Sequence, residues 1–95
     1  MFYIRRVIGD SMIPSLYAGD IVVGIKKRPK HQDIVIAKVG EREVIKRVQN
    51  VSPTSLFLVG DNAGASTDSR SYGEVPMTSL LGVVKITFKK KRPKN

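Results

Sequence analysis

Short runs rich in apolar and β-branched residues alternate along the chain with segments of glycine, proline and polar residues. The runs cover residues 2–8, 21–25, 33–38, 43–51, 55–59 and 80–88. Runs of this length bounded by turn formers are typical of strands. No window of a dozen residues has the 3.6-residue repeat of an amphipathic helix, although residues 78–81 have room for one short helical turn. The pattern therefore predicts an all-β protein.

The segments between the runs carry residues that favour tight turns. Examples are Gly9-Asp10, Gly19-Asp20, Gly40-Glu41, Ser52-Pro53 and Gly60-Asp61-Asn62. With 95 residues the chain has enough material for one compact core. We expect residues 1–88 to form a single domain of small, coiled antiparallel sheets that make a partly open barrel. Residues 89–95 are expected to be a disordered basic tail.

Charge is concentrated at the end of the sequence. The formal net charge is +9, and five basic residues without an acid lie in residues 89–95, which leaves +4 for the rest. Such a tail suits contact with an anionic membrane or with nucleic acid, and it equally suits a solubilising end. No apolar run approaches the roughly 20 residues of a membrane-spanning helix, and residues 1–6 lack the apolar stretch of a signal peptide. We expect a cytoplasmic protein, or one peripheral to a membrane through the basic tail.

The scarcity of cysteine and histidine limits the possible chemistry. The chain has no cysteine, which excludes disulfides and thiolate sites for zinc or redox reactions. His31 is the only histidine, which excludes a metal site with two imidazoles. It lies in a charged segment, residues 28–33, where a solvated loop residue is favoured over the base of a catalytic triad. We predict no cofactor and no metal.

Ser11 is a candidate nucleophile because of its place after the first strand. It lies between Gly9 and Pro14, which constrain a bend that exposes the side chain while the backbone stays fixed. A serine hydroxyl attacks a carbonyl only when a base removes its proton, and the resulting oxyanion needs donors such as backbone N–H groups. Taken alone, the segment also fits an ordinary turn.

Four apolar residues follow the candidate nucleophile. Met12, Ile13, Leu16 and Tyr17 suit an apolar lip that receives substrate or contacts a membrane surface. The alternative is that some of them close the core.

Lys46 is a candidate base because strand periodicity places it between two valines. Val44, Lys46 and Val48 share one face of the predicted strand, while Arg47 lies on the other and would be solvated or paired with an acid such as Glu43. Burial of a lysine disfavours its charge and lowers its pKa by up to about 3–5 units, which yields a neutral amine. The alternative is a lysine that extends to the sheet edge and discourages aggregation.

A long polar segment, residues 60–73, offers groups that could orient such a base. Ser66 supplies a hydroxyl, which holds an amine without adding charge, and Asp68 and Arg70 can pair and brace the loop. The alternative is a surface loop rich in turn formers.

Four blocks of residues together resemble the type I signal peptidase pattern, in the family's own order. They are Ser11-Met12-Ile13-Pro14, Gly19-Asp20-Ile21-Val22, Ile45-Lys46-Arg47-Val48, and the loop from Gly60 to Gly73 that contains Ser66-Thr67-Asp68-Ser69-Arg70. The resemblance spans about residues 7 to 76 and implies the catalytic-core fold that signal peptidases share with SOS repressors.

The resemblance also implies roles for individual residues. Ser11 corresponds to the nucleophile of a serine peptidase, Lys46 to its general base and Ser66 to the hydroxyl that orients the lysine. Asp68 and Arg70 correspond to a structural pair beneath the site. The implied substrate is a polypeptide precursor from which a leader or propeptide is removed, and Met12 and Ile13 would contact it.

The sequence departs from the larger signal peptidases in two ways. Gly9 stands where those enzymes often have a serine or threonine that donates to the oxyanion, and no large insertion follows residue 48. The loop at residues 60–73 is similar to that of nickel superoxide dismutase maturation proteases, which remove a short propeptide. Self-cleaving repressors share the Ser/Lys chemistry but normally carry a DNA-binding domain in front.

Two other functions stay open at this stage. One is a small basic β-barrel that binds nucleic acid, although three Tyr and three Phe without basic–aromatic alternation argue against a stacking platform. The other is a catalytically silent scaffold with a peptidase-like sequence.

Overall fold

The computed structural model describes residues 1–92 and consists mainly of β-structure. The strands are β1 (Phe2–Arg6), β2 (Ile21–Ile25), β3 (Ile34–Val39), β4 (Arg42–Val51), β5 (Ser55–Val59), β6 (Val75–Pro76) and β7 (Leu80–Phe88). A short helix, α1, spans Ser69–Tyr72, and 3-10 turns span Ala63–Ala65 and Met77–Ser79. All six predicted strands are present, and the all-β prediction is confirmed. The helical turn predicted at residues 78–81 overlaps the 3-10 turn at Met77–Ser79, but residues 80–81 already belong to β7, and β1 ends at Arg6 rather than at residue 8.

The seven strands form one antiparallel sheet in the order β1-β2-β7-β3-β4-β5-β6. Strands β1 and β4 are separated by three others in this order. Nevertheless, the Arg5 side chain of β1 forms a two-bond ion pair with Glu43 of β4, at 2.5 and 3.0 Å. The sheet therefore curls until these strands approach each other, as in a partly open barrel.

Buried apolar residues form two clusters on opposite faces of the sheet. Alternation along β3 sends Val35 and Ala37 into one cluster and Ile36 into the other. The first cluster fills the space under β4 and β5 and includes Val48, Leu56 and Leu58. The second contains Val7, Met12, Leu16, Val22 and Ile36, so it fixes the segment that follows β1.

Residues 89–92 continue from β7 and lie against the loop that precedes β2. The carboxylate of Asp20 is fully buried and accepts hydrogen bonds from the backbone N–H groups of Tyr17 (3.0 Å) and Lys90 (2.7 Å). It also pairs with the Arg92 guanidinium at 2.7 Å, and that guanidinium stacks over the Tyr17 ring. Burial opposes ionisation of Asp20, but these donors prevail and lower its pKa.

Residues 89–92 thus supply partners that the buried carboxylate of Asp20 needs, while the division into a domain at residues 1–88 and a disordered tail at residues 89–95 stays a prediction. Residues 93–95, the rest of the predicted tail, lie outside the described residues. Within residues 1–92, no helix is long and apolar enough to cross a membrane.

Candidate active site

An open groove of about 750 Å³ lies between the chain that follows β1 and the first half of β4. Ser11 and Lys46 both line it, together with Ala65 and Thr67 from the polar loop. The curl of the sheet creates the groove, because it brings two strands that are not hydrogen-bonded to each other face to face. The predicted nucleophile and base therefore share one surface.

Lys46 is buried in the middle of β4. Its side chain is 6% exposed, and its neighbours on the same face are the half-buried Val44 and the buried Val48. Burial lowers the pKa of Lys46, the nearby charges of Arg70 and Arg42 lower it further, and the carboxylate of Asp68 opposes them. Lys46 thus lies between two valines, as strand periodicity predicted, and its pKa is lowered, as expected for a buried lysine.

The Lys46 amine donates to the Ser66 hydroxyl rather than to a carboxylate. The distance from Lys46 Nζ to Ser66 Oγ is 2.9 Å, and Ser66 Oγ in turn lies 2.6 Å from Asp68 Oδ2. The Ser66 proton goes to Asp68, so a lone pair of the hydroxyl faces the lysine. This arrangement fixes the direction of the amine, and the Ser66 hydroxyl separates the amine from the negative charge of the Asp68 carboxylate.

Asp68 is the centre of the polar loop. It is 1% exposed, yet its carboxylate accepts from the Gly60 N–H at 2.8 Å and from the Arg70 guanidinium at 2.6 and 3.0 Å. Burial works against the charged form, but the bonds from Arg70, Ser66 and Gly60 outweigh it and hold the Asp68 pKa well below its usual range. The Asp68–Arg70 pair therefore lies directly behind Ser66.

The same aspartate explains why the loop contains a helix that periodicity did not indicate. Asp68 is the N-cap of α1 and accepts from the Arg70 N–H at 3.1 Å. Ser69 accepts from the Leu58 N–H at 2.9 Å, which ties the helix to β5. Gly73, with a φ of +84°, ends the helix in a conformation that favours glycine. One side chain thus begins α1 and supports Ser66.

The turn that carries Ser11 is attached to both the core and the polar loop. Met12 and Leu16 anchor it in the second apolar cluster. The Ser11 carbonyl accepts from the Asn62 N–H at 2.8 Å, and the Asn62 amide donates to the Asp10 carbonyl at 3.1 Å. The backbone at Ser11 is therefore held on two sides while its half-buried side chain faces the groove.

Gly60 allows these parts to approach each other. A β-carbon at this position would lie 2.6 Å from Ser66 Cβ and 2.7 Å from the Ser11 carbonyl oxygen. Gly9 has a different reason to be glycine, because its φ is +78° and no atom would crowd a β-carbon there. The backbone conformation before Ser11 thus disfavours the serine or threonine found in larger signal peptidases.

The two residues predicted to contact substrate occupy different environments. Met12 lines the groove but is only 1% exposed, because its side chain packs into the core. Ile13 is half-buried and does not line the groove. Met12 can therefore form the floor of the groove, and the prediction for Ile13 finds no support in this geometry. Leu16, proposed for an apolar lip, instead belongs to the core.

A second polar cluster beside the site was missed from the sequence. Arg47 pairs with Asp61 at 2.7 and 3.0 Å and donates to Ser15 Oγ at 3.1 Å, while Ser15 donates to Asp61 at 2.5 Å. Arg47 is therefore paired with an acid, which is one of the two expected environments, but that acid is Asp61 and not the suggested Glu43, which pairs with Arg5 across the groove. The Arg47 bonds lower the Asp61 pKa. This cluster joins the strand of Lys46 to the turn of Ser11 and the loop of Ser66.

Two comparisons with known proteins find similar sequences. A family model described as Peptidase S24-like matches residues 1–84. The mitochondrial inner membrane protease subunit 1 of Xenopus tropicalis is 35% identical over 80 residues, covering 72% of this chain and 47% of the relative. The chain spans about half the length of this curated relative. The family match includes Ser11, Lys46 and the whole of the polar loop.

Proposed function

Because the chain belongs to the Peptidase S24-like family and is similar to a mitochondrial protease subunit, we propose that it is a serine endopeptidase with a Ser11/Lys46 dyad. The observation that carries this proposal is the environment of Lys46. A buried lysine whose amine is held by a hydroxyl, with no carboxylate in contact, favours the neutral form that a general base requires.

The proposed reaction begins with neutral Lys46, which accepts the proton of the Ser11 hydroxyl as the oxygen attacks a substrate carbonyl. The resulting lysine ammonium then gives this proton to the leaving amine when the peptide bond breaks, and an ester on Ser11 remains. A water molecule, deprotonated by the same lysine, hydrolyses the ester and restores both groups. Ser66 is a positioning residue, because it directs the Lys46 amine and does not contact the reacting carbonyl.

The groove suits an extended polypeptide. In the sheet described, β1 pairs with β2 alone, so its other edge can receive a strand through backbone hydrogen bonds. We propose that the substrate is a protein precursor from which a leader or propeptide is removed. A precursor of nickel superoxide dismutase is one candidate. The resemblance of the sequence to signal peptidases also suggests a preference for small side chains just before the cleaved peptide bond.

Cleavage of candidate precursor peptides, followed by mass spectrometry, tests the dyad. Ser11→Ala and Lys46→Ala should each lower the rate by about 1000-fold or more. Lys38→Ala is the matched control, because Lys38 is an exposed lysine on the neighbouring strand β3 and its loss should leave the rate unchanged. Equal rates for the parent and for folded Ser11→Ala would refute the assignment of the nucleophile.

Reaction with an acylating serine reagent provides a test that needs no natural substrate. We expect one adduct on Ser11 in the parent protein, and far slower labelling after Lys46→Ala. If neither protein is labelled and neither cleaves any peptide, while a labelled oligonucleotide binds in a salt-dependent manner, the binding-module function replaces the peptidase.

A further inference from the structure

The chain around Ser11 forms a loop that two backbone hydrogen bonds close at its base. The Val7 N–H donates to the Asp20 carbonyl at 2.7 Å, and the Gly19 N–H donates to the Val7 carbonyl at 2.9 Å. Residues 8–19 therefore form one closed loop, the nucleophile loop. Because Ser11 belongs to this loop, its direction over the groove depends on the groups that hold the loop against the sheet.

Residues 89–92, the extension of β7, lie along the second half of the nucleophile loop. The Lys89 amine donates to the Ser15 carbonyl, and the Arg92 guanidinium lies 4.2 Å from the centre of the Tyr17 ring. Within residues 1–92, the side-chain hydrogen bonds and ion pairs of the extension all have partners in the second half of this loop or at its base. The extension therefore contacts the loop that carries the proposed nucleophile.

Asp20, at the base of the loop, is the centre of this contact. Its carboxylate is fully buried, and a buried charge is costly unless hydrogen bonds compensate it. The loop itself supplies only the Tyr17 N–H, whereas the extension supplies the Lys90 N–H at 2.7 Å and the Arg92 guanidinium at 2.7 and 3.0 Å. Loss of Arg92 would leave the carboxylate short of donors, so the loop would have to shift or admit water. One buried charge thus holds the loop and the extension together.

We propose that Arg92 and Asp20 are positioning residues for Ser11. Neither side chain lines the groove, so the pair acts through the nucleophile loop and does not contact substrate. The polar loop holds the nucleophile loop through a separate bond, from the Asn62 N–H to the Ser11 carbonyl. The two attachments together keep the Ser11 side chain directed into the groove that Lys46 lines.

This role is not implied by the family to which the chain belongs. The family model matches residues 1–84, and the extension follows at residues 89–92. The inference rests on the proposed peptidase function, because only a reacting Ser11 needs a fixed direction. It predicts that a change in the extension lowers the reactivity of Ser11 and kcat while KM stays the same, since the groove itself is not altered.

The rate at which an acylating serine reagent labels Ser11 tests the proposal without a natural substrate. Arg92→Gln should lower the rate constant by about tenfold or more, because misplacement of a reacting group by about 1 Å costs up to about 100-fold. The final extent of labelling should not change, whereas an unfolded fraction would lower the extent. Arg92→Lys keeps a charge for Asp20 and should restore the rate to within about threefold of the parent. Circular dichroism at the assay temperature shows whether each variant is folded.

Lys91→Gln is the matched control, because it removes an exposed cation from the same extension, and this lysine has no ion pair in the part of the chain that the structure describes. Its labelling rate should equal that of the parent. Asp20→Asn should slow labelling about as much as Arg92→Gln. The double variant should be no slower than the slower single variant, because both changes remove the same contact.

Hydrogen exchange separates this inference from the proposed function. The N–H groups of Leu16 and Gly19 are hydrogen-bonded at 2.9 Å, so they should exchange faster by roughly tenfold in Arg92→Gln and at the parent's rate in Lys91→Gln. A parent labelled on Ser11, with equal labelling and equal exchange in Arg92→Gln, would overturn the positioning role and leave the peptidase intact. A parent that is neither labelled nor active would overturn the peptidase function, and the positioning role with it, even if exchange shows that Arg92 holds the loop.

Discussion

The substitution Gly60→Ala tests whether the site depends on close packing of three segments. Gly60 lies between the Ser66 side chain and the Ser11 carbonyl, and its N–H binds Asp68 at 2.8 Å. Its φ is not in the left-handed region, so an alanine meets no backbone penalty there and only space is at issue. The added carbon would lie 2.6 Å from Ser66 Cβ and 2.7 Å from the Ser11 oxygen, whereas ordinary contacts begin at 3.4 Å.

Relief of these contacts requires movements of about 1 Å by Ser66, Ser11 or both. A shift of this size breaks or lengthens the 2.9 Å bond between Ser66 and Lys46. Overpacking at a buried position costs about 1–3 kcal/mol, and each 1 kcal/mol lowers Tm by roughly 4–8 °C in a domain of this size. Misplacement of catalytic groups by 1 Å reduces rate by about 100-fold. We therefore expect a lower Tm and a kcat/KM that falls by about two orders of magnitude.

Gly64→Ala is the matched control, measured by calorimetry and by cleavage of the same peptide. No atom would lie within 4 Å of a β-carbon at Gly64, and its φ is also outside the left-handed region. Stability should be unchanged or slightly higher, because alanine reduces the freedom of the unfolded chain. If Gly60→Ala and Gly64→Ala have the same Tm and the same kcat/KM, the packing argument for the site is refuted.

Two further predictions concern protonation. Peptidase activity should rise as pH passes through the pKa of Lys46, which lies below 10.5. Arg42→Gln should move this rise to higher pH, because it removes a positive charge that lowers the Lys46 pKa. A pH profile of kcat/KM that is the same for the parent and for Arg42→Gln would contradict this account of the Lys46 pKa. The pKa of Asp68 is lower in the folded state than its ordinary 3.8, so its contribution to stability is present above that value and is lost as pH falls through the folded pKa. The loss of stability with falling pH, followed by circular dichroism, should therefore be less steep after Asp68→Asn. An acid transition that is the same in both proteins would count against this contribution of Asp68.

The local parts of the fold could be predicted from the sequence because they depend on neighbours in the chain. Alternation of apolar residues placed the six longer strands to within two residues, and it correctly placed Lys46 on a buried face. β6 was missed because two residues, Val75 and Pro76, are too few to form a pattern. α1 was missed because Ser69–Tyr72 contains no apolar repeat and depends on the cap that Asp68 provides.

The long-range polar contacts could not be predicted because no local rule selects their partners. Arg47 had several carboxylates within possible reach, and only the curl of the sheet decides that it meets Asp61 while Glu43 meets Arg5. The sequence did contain one signal for Asp61, because Gly60 and Asp61 begin the loop that resembles the signal peptidase pattern. Asp20 gave no comparable signal for its pairing with Arg92, 72 residues away.

The position of β7 has a consequence for synthesis of the chain. This strand is the last of the seven to be made, yet it lies between β2 and β3 and contributes Val83 and Val84 to the two cores. Until it emerges from the ribosome, the β1-β2 hairpin and the β3-to-β6 unit have no strand to join them, and each presents an open edge. Folding of this sheet can therefore finish only after β7 has been made, and chains that end before Leu80 should be especially prone to aggregate.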